Sequence, residues 1–205
     1  MACCAWHRSG ADGARKGRRM DTLFAADLPQ DFRYCEEFIS AVQEQTLLDA
    51  IGAVEFAEFK MRGVVARLLV AFFGESYDRA EARPLPEFLL PLRDSIAAWA
   101  GLDAAAFAMA LINEYRPGAP IGWHRDAPQY DVVAGVSLLS ACRMKLRPYY
   151  SPASAASTNR RFATHDVLLA RRSAYLMAGE SRNAYEHHIP AVGQLRYSVT
   201  FRTLR

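Results

Sequence analysis

An imidazole and a carboxylate stand two residues apart at His124 and Asp126, inside the stretch NEYRPGAPIGWHRDAPQYD that covers residues 113–131. On a strand, side chains at that interval share a face. With one more imidazole, such a pair makes the 2-His-1-carboxylate set that holds a ferrous ion by one face and leaves three positions open. An H-x-D pair also occurs on ordinary wetted strands, so the pattern needs a third group. The chain has five histidines: His7, His124, His165, His187 and His188. His7 lies in a basic tail and His165 opens a strand after a loop. His187 and His188 are adjacent in YEHHIP, and strand neighbours point to opposite sides, so only one can turn inward.

A second cluster lies in RYSVTFRTLR, residues 196–205. Strand alternation puts Arg196, Ser198, Thr200 and Arg202 on one face and Tyr197, Val199 and Phe201 on the other. Two guanidinium groups on one face are costly to bury unless an anion meets them. Arginine suits the forked binding of a carboxylate, and a dicarboxylate would satisfy both cations. A wet polar face is the plainer alternative.

Elements must bring these distant residues together. Ser40 and Gln43 fit a capping box ahead of a helical stripe of Val42, Leu47, Leu48 and Ile51. FAEFK and VVARLLVAFF read as strands joined by the Met61-Arg62-Gly63 turn. LPEFLLPLRDSIAAWAG reads as a second helix closed by Gly101. From residue 107 onward short strand-like runs dominate, punctuated by Pro117-Gly118 and Ala178-Gly179. The expected fold is α+β but mostly β, a double-sheet jelly roll buttressed by N-terminal helices.

The totals agree with one globular domain: 205 residues, 51% hydrophobic and 23% charged. Residues 1–20 carry Arg8, Arg15, Lys16, Arg18 and Arg19 and read as a disordered basic tail, with the domain over 21–205. No apolar run approaches a membrane span and no secretory leader is visible. Four scattered cysteines argue against a disulfide scaffold and for a reduced, cytoplasmic setting, nucleoplasmic in a eukaryote. A net charge of +3 permits a polyanionic partner without requiring one. A monomer is the default expectation.

Taken together and in order, FGESYD, LPEFLLPL, LINEYRPGAPIGWHRD, GVSLLS, GESRNAYEHHIP and RYSVTFRTLR resemble the AlkB family of 2-oxoglutarate/Fe(II) dioxygenases over residues 30–205. The resemblance implies a double-stranded β-helix core over 107–205, with the lid and buttressing helices over 30–106. It implies Fe(II), 2-oxoglutarate and O2, with His124, Asp126 and His187 as the metal ligands. It further implies a cosubstrate pocket of Asn113, Tyr115, Arg196, Ser198 and Arg202. Arg196 with Tyr115 would hold the distal carboxylate, and Arg202 with Asn113 would support the carboxylate nearer the metal. Ser198 departs from an asparagine common in the family's nucleic-acid demethylases.

The reaction implied is oxidative demethylation of N-alkylated bases, such as 1-methyladenine and 3-methylcytosine, in DNA or RNA. It would release an aldehyde, succinate and CO2. The substrate lid would hold Phe59, Lys60, Met61 and Arg62, with Tyr77 beside it. In CRMKLRPYY, Arg143, Lys145 and Arg147 alternate with apolar residues and form a basic face for phosphates. Pro128 replaces a second carboxylate that reads the base in the founding enzyme. The same iron chemistry on a protein side chain or small molecule is the alternative, and a catalytically silent nucleic-acid binder a remote one.

Overall fold

A computed structural model describes residues 28–61, 64–74, 83–149 and 164–205. The basic tail, Arg62 and Tyr77 lie outside the described residues. Eleven strands are described, forming two antiparallel sheets. In chain order they are β1 (Phe32–Cys35), β2 (Ala57–Met61), β3 (Val64–Gly74), β4 (Met109–Tyr115), β5 (Ile121–His124), β6 (Tyr130–Leu138), β7 (Cys142–Pro148), β8 (His165–Leu169), β9 (Ala174–Met177), β10 (Tyr185–Ile189) and β11 (Arg196–Leu204). The seven-stranded sheet runs β1-β9-β6-β11-β4-β3-β2, and the four-stranded sheet runs β5-β10-β7-β8. This is the expected mostly-β double sheet.

Two helices, α1 (Ala41–Ile51) and α2 (Leu90–Ala100), cover the outer face of the larger sheet. Helix α1 begins with the expected capping box: Ser40 Oγ accepts from the Gln43 amide, and Gln43 returns a bond to the Ser40 amide. Helix α2 ends at Gly101, whose φ of 77° is one a residue with a Cβ resists. Leu47, Ile51, Leu92 and Ile96 from the helices pack on Val199, Phe201, Ala134, Val136 and Ile112 from the sheet. Each large apolar side chain buried this way contributes about 1.5–3 kcal/mol before the entropy of ordering.

Strand β11 divides the molecule by simple alternation. Val199 and Phe201 join the helix-side core, while Arg196, Ser198, Thr200 and Arg202 face the space between the sheets. The facing sheet contributes Met144, Leu146 and Ile189 to a second apolar cluster. Buried polar side chains therefore concentrate between the sheets, where apolar packing would otherwise close the gap.

Helix α1 is fastened through one acid. Glu44 is fully buried; its carboxylate accepts from the Leu139 amide at 2.8 Å and from Arg171 Nε at 2.7 and 3.0 Å. It thereby ties the helix to the turns after β6 and β8. Leu139 sits at φ 71°, a conformation costing a non-glycine residue about 1–2 kcal/mol.

Two features differ from the sequence expectation. FRYC forms the edge strand β1, paired with β9 through Phe32↔Met177 to Cys35↔Ala174. The Ala178-Gly179 turn opens a short helix, α3 (Gly179–Asn183). Among the described residues no helix is long and apolar enough to cross a membrane.

Candidate active site

Between the sheets lies a cavity of about 520 Å³. His124 is the last residue of β5 and stands opposite His187 of β10 in the strand register, so both imidazoles project to one side. Their ring centroids are 4.2 Å apart. His124 Nδ1 is 2.8 Å from the Gly122 carbonyl, which can only accept, so Nδ1 carries a proton and Nε2 is the nitrogen turned to the cavity's donors. His188 turns to the opposite side: its Nδ1 bonds the Ile121 carbonyl at 2.7 Å and its ring meets Trp123.

Asp126 lies just beyond the end of β5, so strand alternation alone does not aim it. Arg182 of α3 holds that backbone instead, donating through Nη2 to the carbonyls of Asp126 (3.1 Å), Ala127 (2.7 Å) and Tyr130 (3.0 Å). Helix α3 is itself anchored by the chain before β1. The Glu180 amide donates to Asp31 Oδ2 at 3.1 Å and the Ser181 amide to the Gln30 carbonyl at 3.0 Å. Gly179 is required there, because a Cβ would fall 2.2 Å from the Asp31 carboxylate.

The two oxygens of Asp126 have different surroundings. Oδ1 accepts from Arg202 Nε at 2.9 Å and Nη2 at 2.7 Å. Oδ2 is buried without a hydrogen-bond partner among the described residues, 3.9 Å from His187 Nε2. Burial alone would raise the Asp126 carboxyl, but Arg202, His187 and His124 together hold it well below the usual carboxylate range. Burial, reinforced by His124 and opposed by Asp126, pushes the His187 imidazole down to about 3. The group is then a neutral imidazole beside a full carboxylate charge, the protonation states a divalent cation requires of its ligands.

Among the described residues no three His, Cys, Asp or Glu side chains are already closed at metal-ligand spacing. The two imidazoles rest on each other instead. The donor set nonetheless fits a cation: two imidazoles and one bare carboxylate oxygen face a common space. The 3.9 Å gap is too long for a hydrogen bond.

At the other end of the cavity Arg196 is 1% exposed. Its Nε donates to Ser137 Oγ at 3.2 Å, its guanidinium lies 5.0 Å from the Tyr115 ring centroid, and its Nη1 is buried without a hydrogen-bond partner among the described residues. Burial raises the Tyr115 phenol, with Arg196 opposing. An anion reaching Nη1 would satisfy that orphan donor.

All eight metal and cosubstrate candidates therefore line one cavity: His124, Asp126, His187, Asn113, Tyr115, Arg196, Ser198 and Arg202. Arg202 and Asn113 each have a protein partner in that cavity's wall. Arg202 grips Asp126 and Thr200, while Asn113 Nδ2 donates to Ser198 Oγ at 3.2 Å. The serine thus accepts a bond within the pocket.

Among the described side chains, Arg143, Lys145 and Arg147 do not line that cavity. Phe59, Lys60 and Met61 belong to β2, at the far edge of the larger sheet. Arg143 pairs with Asp166 at 3.1 Å, and Arg147 pairs with Glu186 and lies over Trp123. Lys145 stands between Asp166 and His188 in register.

Sequence reasoning missed Arg182 and Tyr175. The first is a charged residue within GESRN, and its role becomes visible only once α3 is seen against the Asp126 loop. Tyr175 lies flat across Gly135 of β6, where a Cβ would come within 2.4 Å of its ring. A glycine within a strand and an aromatic on the neighbouring one are a joint signal of such close approach.

Comparison with known proteins agrees with this geometry. A sequence profile of the 2OG-Fe(II) oxygenase superfamily matches residues 73–202. The alkylated DNA repair protein ALKBH8 homolog of Arabidopsis thaliana is 27% identical over 169 residues, covering 75% of this chain and 49% of that protein. The chain thus spans about half the length of that relative. The probable RNA/DNA demethylase ALKBH6 of Danio rerio is 24% identical over 179 residues, 84% of this chain and 75% of that protein. In fold, the structure of OsALKBH1 aligns with a TM-score of 0.60 at 15% identity, covering 84% of this chain and 98% of that one. A prolyl hydroxylase from Trichoplax adhaerens, solved with a hypoxia inducible factor oxygen degradation domain peptide, aligns at 0.59 and 13%, covering 85% and 83%. With a profile match that runs from the end of β3 to Arg202, this chain belongs to the 2OG-Fe(II) oxygenase superfamily of dioxygenases, which use Fe(II), 2-oxoglutarate and O2, and is an AlkB-like member of it.

Proposed function

We propose that this chain oxidatively removes alkyl groups from ring nitrogens of bases such as 1-methyladenine and 3-methylcytosine in DNA or RNA, with His124, Asp126 and His187 as ligands to Fe(II). The observation that carries the reading is a cavity with an orphan acceptor at one end and an orphan donor at the other. Asp126 Oδ2 and Arg196 Nη1 are both buried and have no hydrogen-bond partner among the described residues. The first asks for a cation and the second for an anion. The names of the two curated relatives, one an alkylated DNA repair protein homolog and one a probable RNA/DNA demethylase, support a nucleic-acid substrate.

Bound Fe(II) with 2-oxoglutarate and O2 supplies the oxidising chemistry, in which the cosubstrate leaves as succinate and CO2 and the alkyl carbon leaves as an aldehyde. The chain supplies placement. His124 presents Nε2 because Gly122 occupies its Nδ1 proton. Arg202 holds Oδ1 of Asp126 and so directs Oδ2 inward. Arg196, braced by Ser137, offers Nη1 to the distal carboxylate of 2-oxoglutarate beside Tyr115, with Asn113 and Ser198 completing that wall. The apolar sheet faces exclude water, which strengthens each of these charged contacts.

Anaerobic addition of Fe(II) and 2-oxoglutarate is expected to give a visible charge-transfer band that His187→Ala abolishes. Mass spectrometry of DNA and RNA oligonucleotides carrying 1-methyladenine or 3-methylcytosine, after incubation with iron, ascorbate and 2-oxoglutarate, is expected to show loss of the methyl group. An unchanged band in His187→Ala would overturn the ligand assignment. A band with every oligonucleotide left methylated would overturn the substrate and point to a protein or small-molecule target.

A further inference from the structure

A second cavity of about 470 Å³ lies against the first and shares His124, Arg125, Asp126 and Ala127 with it. Its wall brings Arg125, Arg182 and Arg205 together. The carboxylates of that wall are matched elsewhere, Asp126 by Arg202 and Glu186 by Arg147. Arg125 donates to the Asn183 carbonyl and Arg182 to three other main-chain carbonyls. Arg205 donates to the Asn183 side chain and the Tyr130 carbonyl, with Asp131 at 4.0 Å.

Arg182 is 5% exposed, and its Nε is buried with no hydrogen-bond partner among the described residues. Like charges gathered in one concavity repel each other until an anion joins them, and the field they focus attracts one. The ring of Tyr149 lies 3.6 Å from the Arg125 guanidinium and gives the wall a flat apolar surface.

We infer that this second cavity is an anion subsite that takes a backbone phosphate next to the base entering the first cavity. The inference rests on the nucleic-acid reading above. A base can reach the buried centre only if it leaves its stack, so its strand must cross the cavity mouth and carry a phosphodiester to within one nucleotide of it. Arginine forks match phosphate oxygens. Strand β7 is the poorer phosphate site, because Arg143 and Arg147 already hold carboxylates.

The test uses the intact chain with Mn(II) and 2-oxoglutarate, and a single-stranded oligonucleotide bearing one 1-methyladenine. A second oligonucleotide carries neutral methylphosphonates at the two linkages flanking that base. Fluorescence anisotropy over a salt series is expected to show wild type binding the neutral-linkage strand about tenfold more weakly. Arg125→Ser combined with Arg205→Ser is expected to weaken binding of the fully charged strand by a similar factor. It should also reduce the salt slope by roughly 1–2 and respond little to the neutral linkages. Arg125→Lys with Arg205→Lys is expected to recover much of the affinity.

Neutral linkages that cost wild type nothing would overturn the subsite without recourse to any variant. So would a double serine variant with unaltered affinity. A wild type that ignores the charged strand would overturn the nucleic-acid reading together with the subsite, whereas either of the preceding results overturns the subsite alone.

Discussion

Arg196 concentrates the cosubstrate question in one side chain, since a guanidinium that is 1% exposed, with an Nη1 that no described residue meets, is tolerable chiefly when an anion visits it. Arg196→Ala is expected to weaken 2-oxoglutarate binding about tenfold to a hundredfold, the worth of a charge-assisted hydrogen bond. Mn(II) affinity should stay within about twofold on that same scale, and titration calorimetry with each ligand separates the two. Equal loss of both would mean a damaged fold. Gly135 offers a second test. A methyl group there would overlap the Tyr175 ring, so Gly135→Ala is expected to cost about 1–3 kcal/mol in denaturant unfolding. Adding Tyr175→Val should return much of that loss, because the two changes meet at one point.

Among the elements, α1 depends on Glu44 more than on its propensity. Glu44→Gln removes the charge that Arg171 meets and weakens the bond from the Leu139 amide, so a loss of about 1–3 kcal/mol is expected, read as a lower urea midpoint with an unchanged slope. Ser40→Ala is expected to cost about 1 kcal/mol through the cap alone. The cap, the Gly101 stop and the two-faced alternation of β11 were legible in the sequence, because each depends on neighbours a few residues away. Alternation likewise put Arg196, Ser198 and Arg202 on one face, whereas His187, Asn113 and Tyr115 were named from the family resemblance and not from local pattern. Strand β1 was not legible, since FRYC becomes a strand only by pairing with β9, more than a hundred residues later. Nor was the pairing of Arg143 with Asp166 and Arg147 with Glu186, which cross between strands and turn a basic stripe into a row of matched charges. The grip of Arg182 on the Asp126 loop likewise depends on tertiary placement that no local pattern encodes.

At the scale of the whole molecule, the cavity joins the two sheets, so its ligands should stabilise both together. Mn(II) and 2-oxoglutarate, each held at ~100 times its Kd, should add about 2.7 kcal/mol per independent site. For a domain of this size that is a rise in Tm of about 5–10 °C per ligand, measurable by scanning calorimetry. A rise from the metal but none from 2-oxoglutarate would argue against the Arg196 end of the cavity as the cosubstrate pocket. A chain of contacts also runs from the first described residues to the centre. Gln30 and Asp31 hold the opening turn of α3, α3 carries Arg182, and Arg182 fixes the carbonyls around Asp126. Trimming the protein from its amino end as far as residue 31 would therefore act at a distance. The shortened enzyme would still fold around its helices and sheets, yet bind its ion loosely, like a vice whose far screw has been backed off.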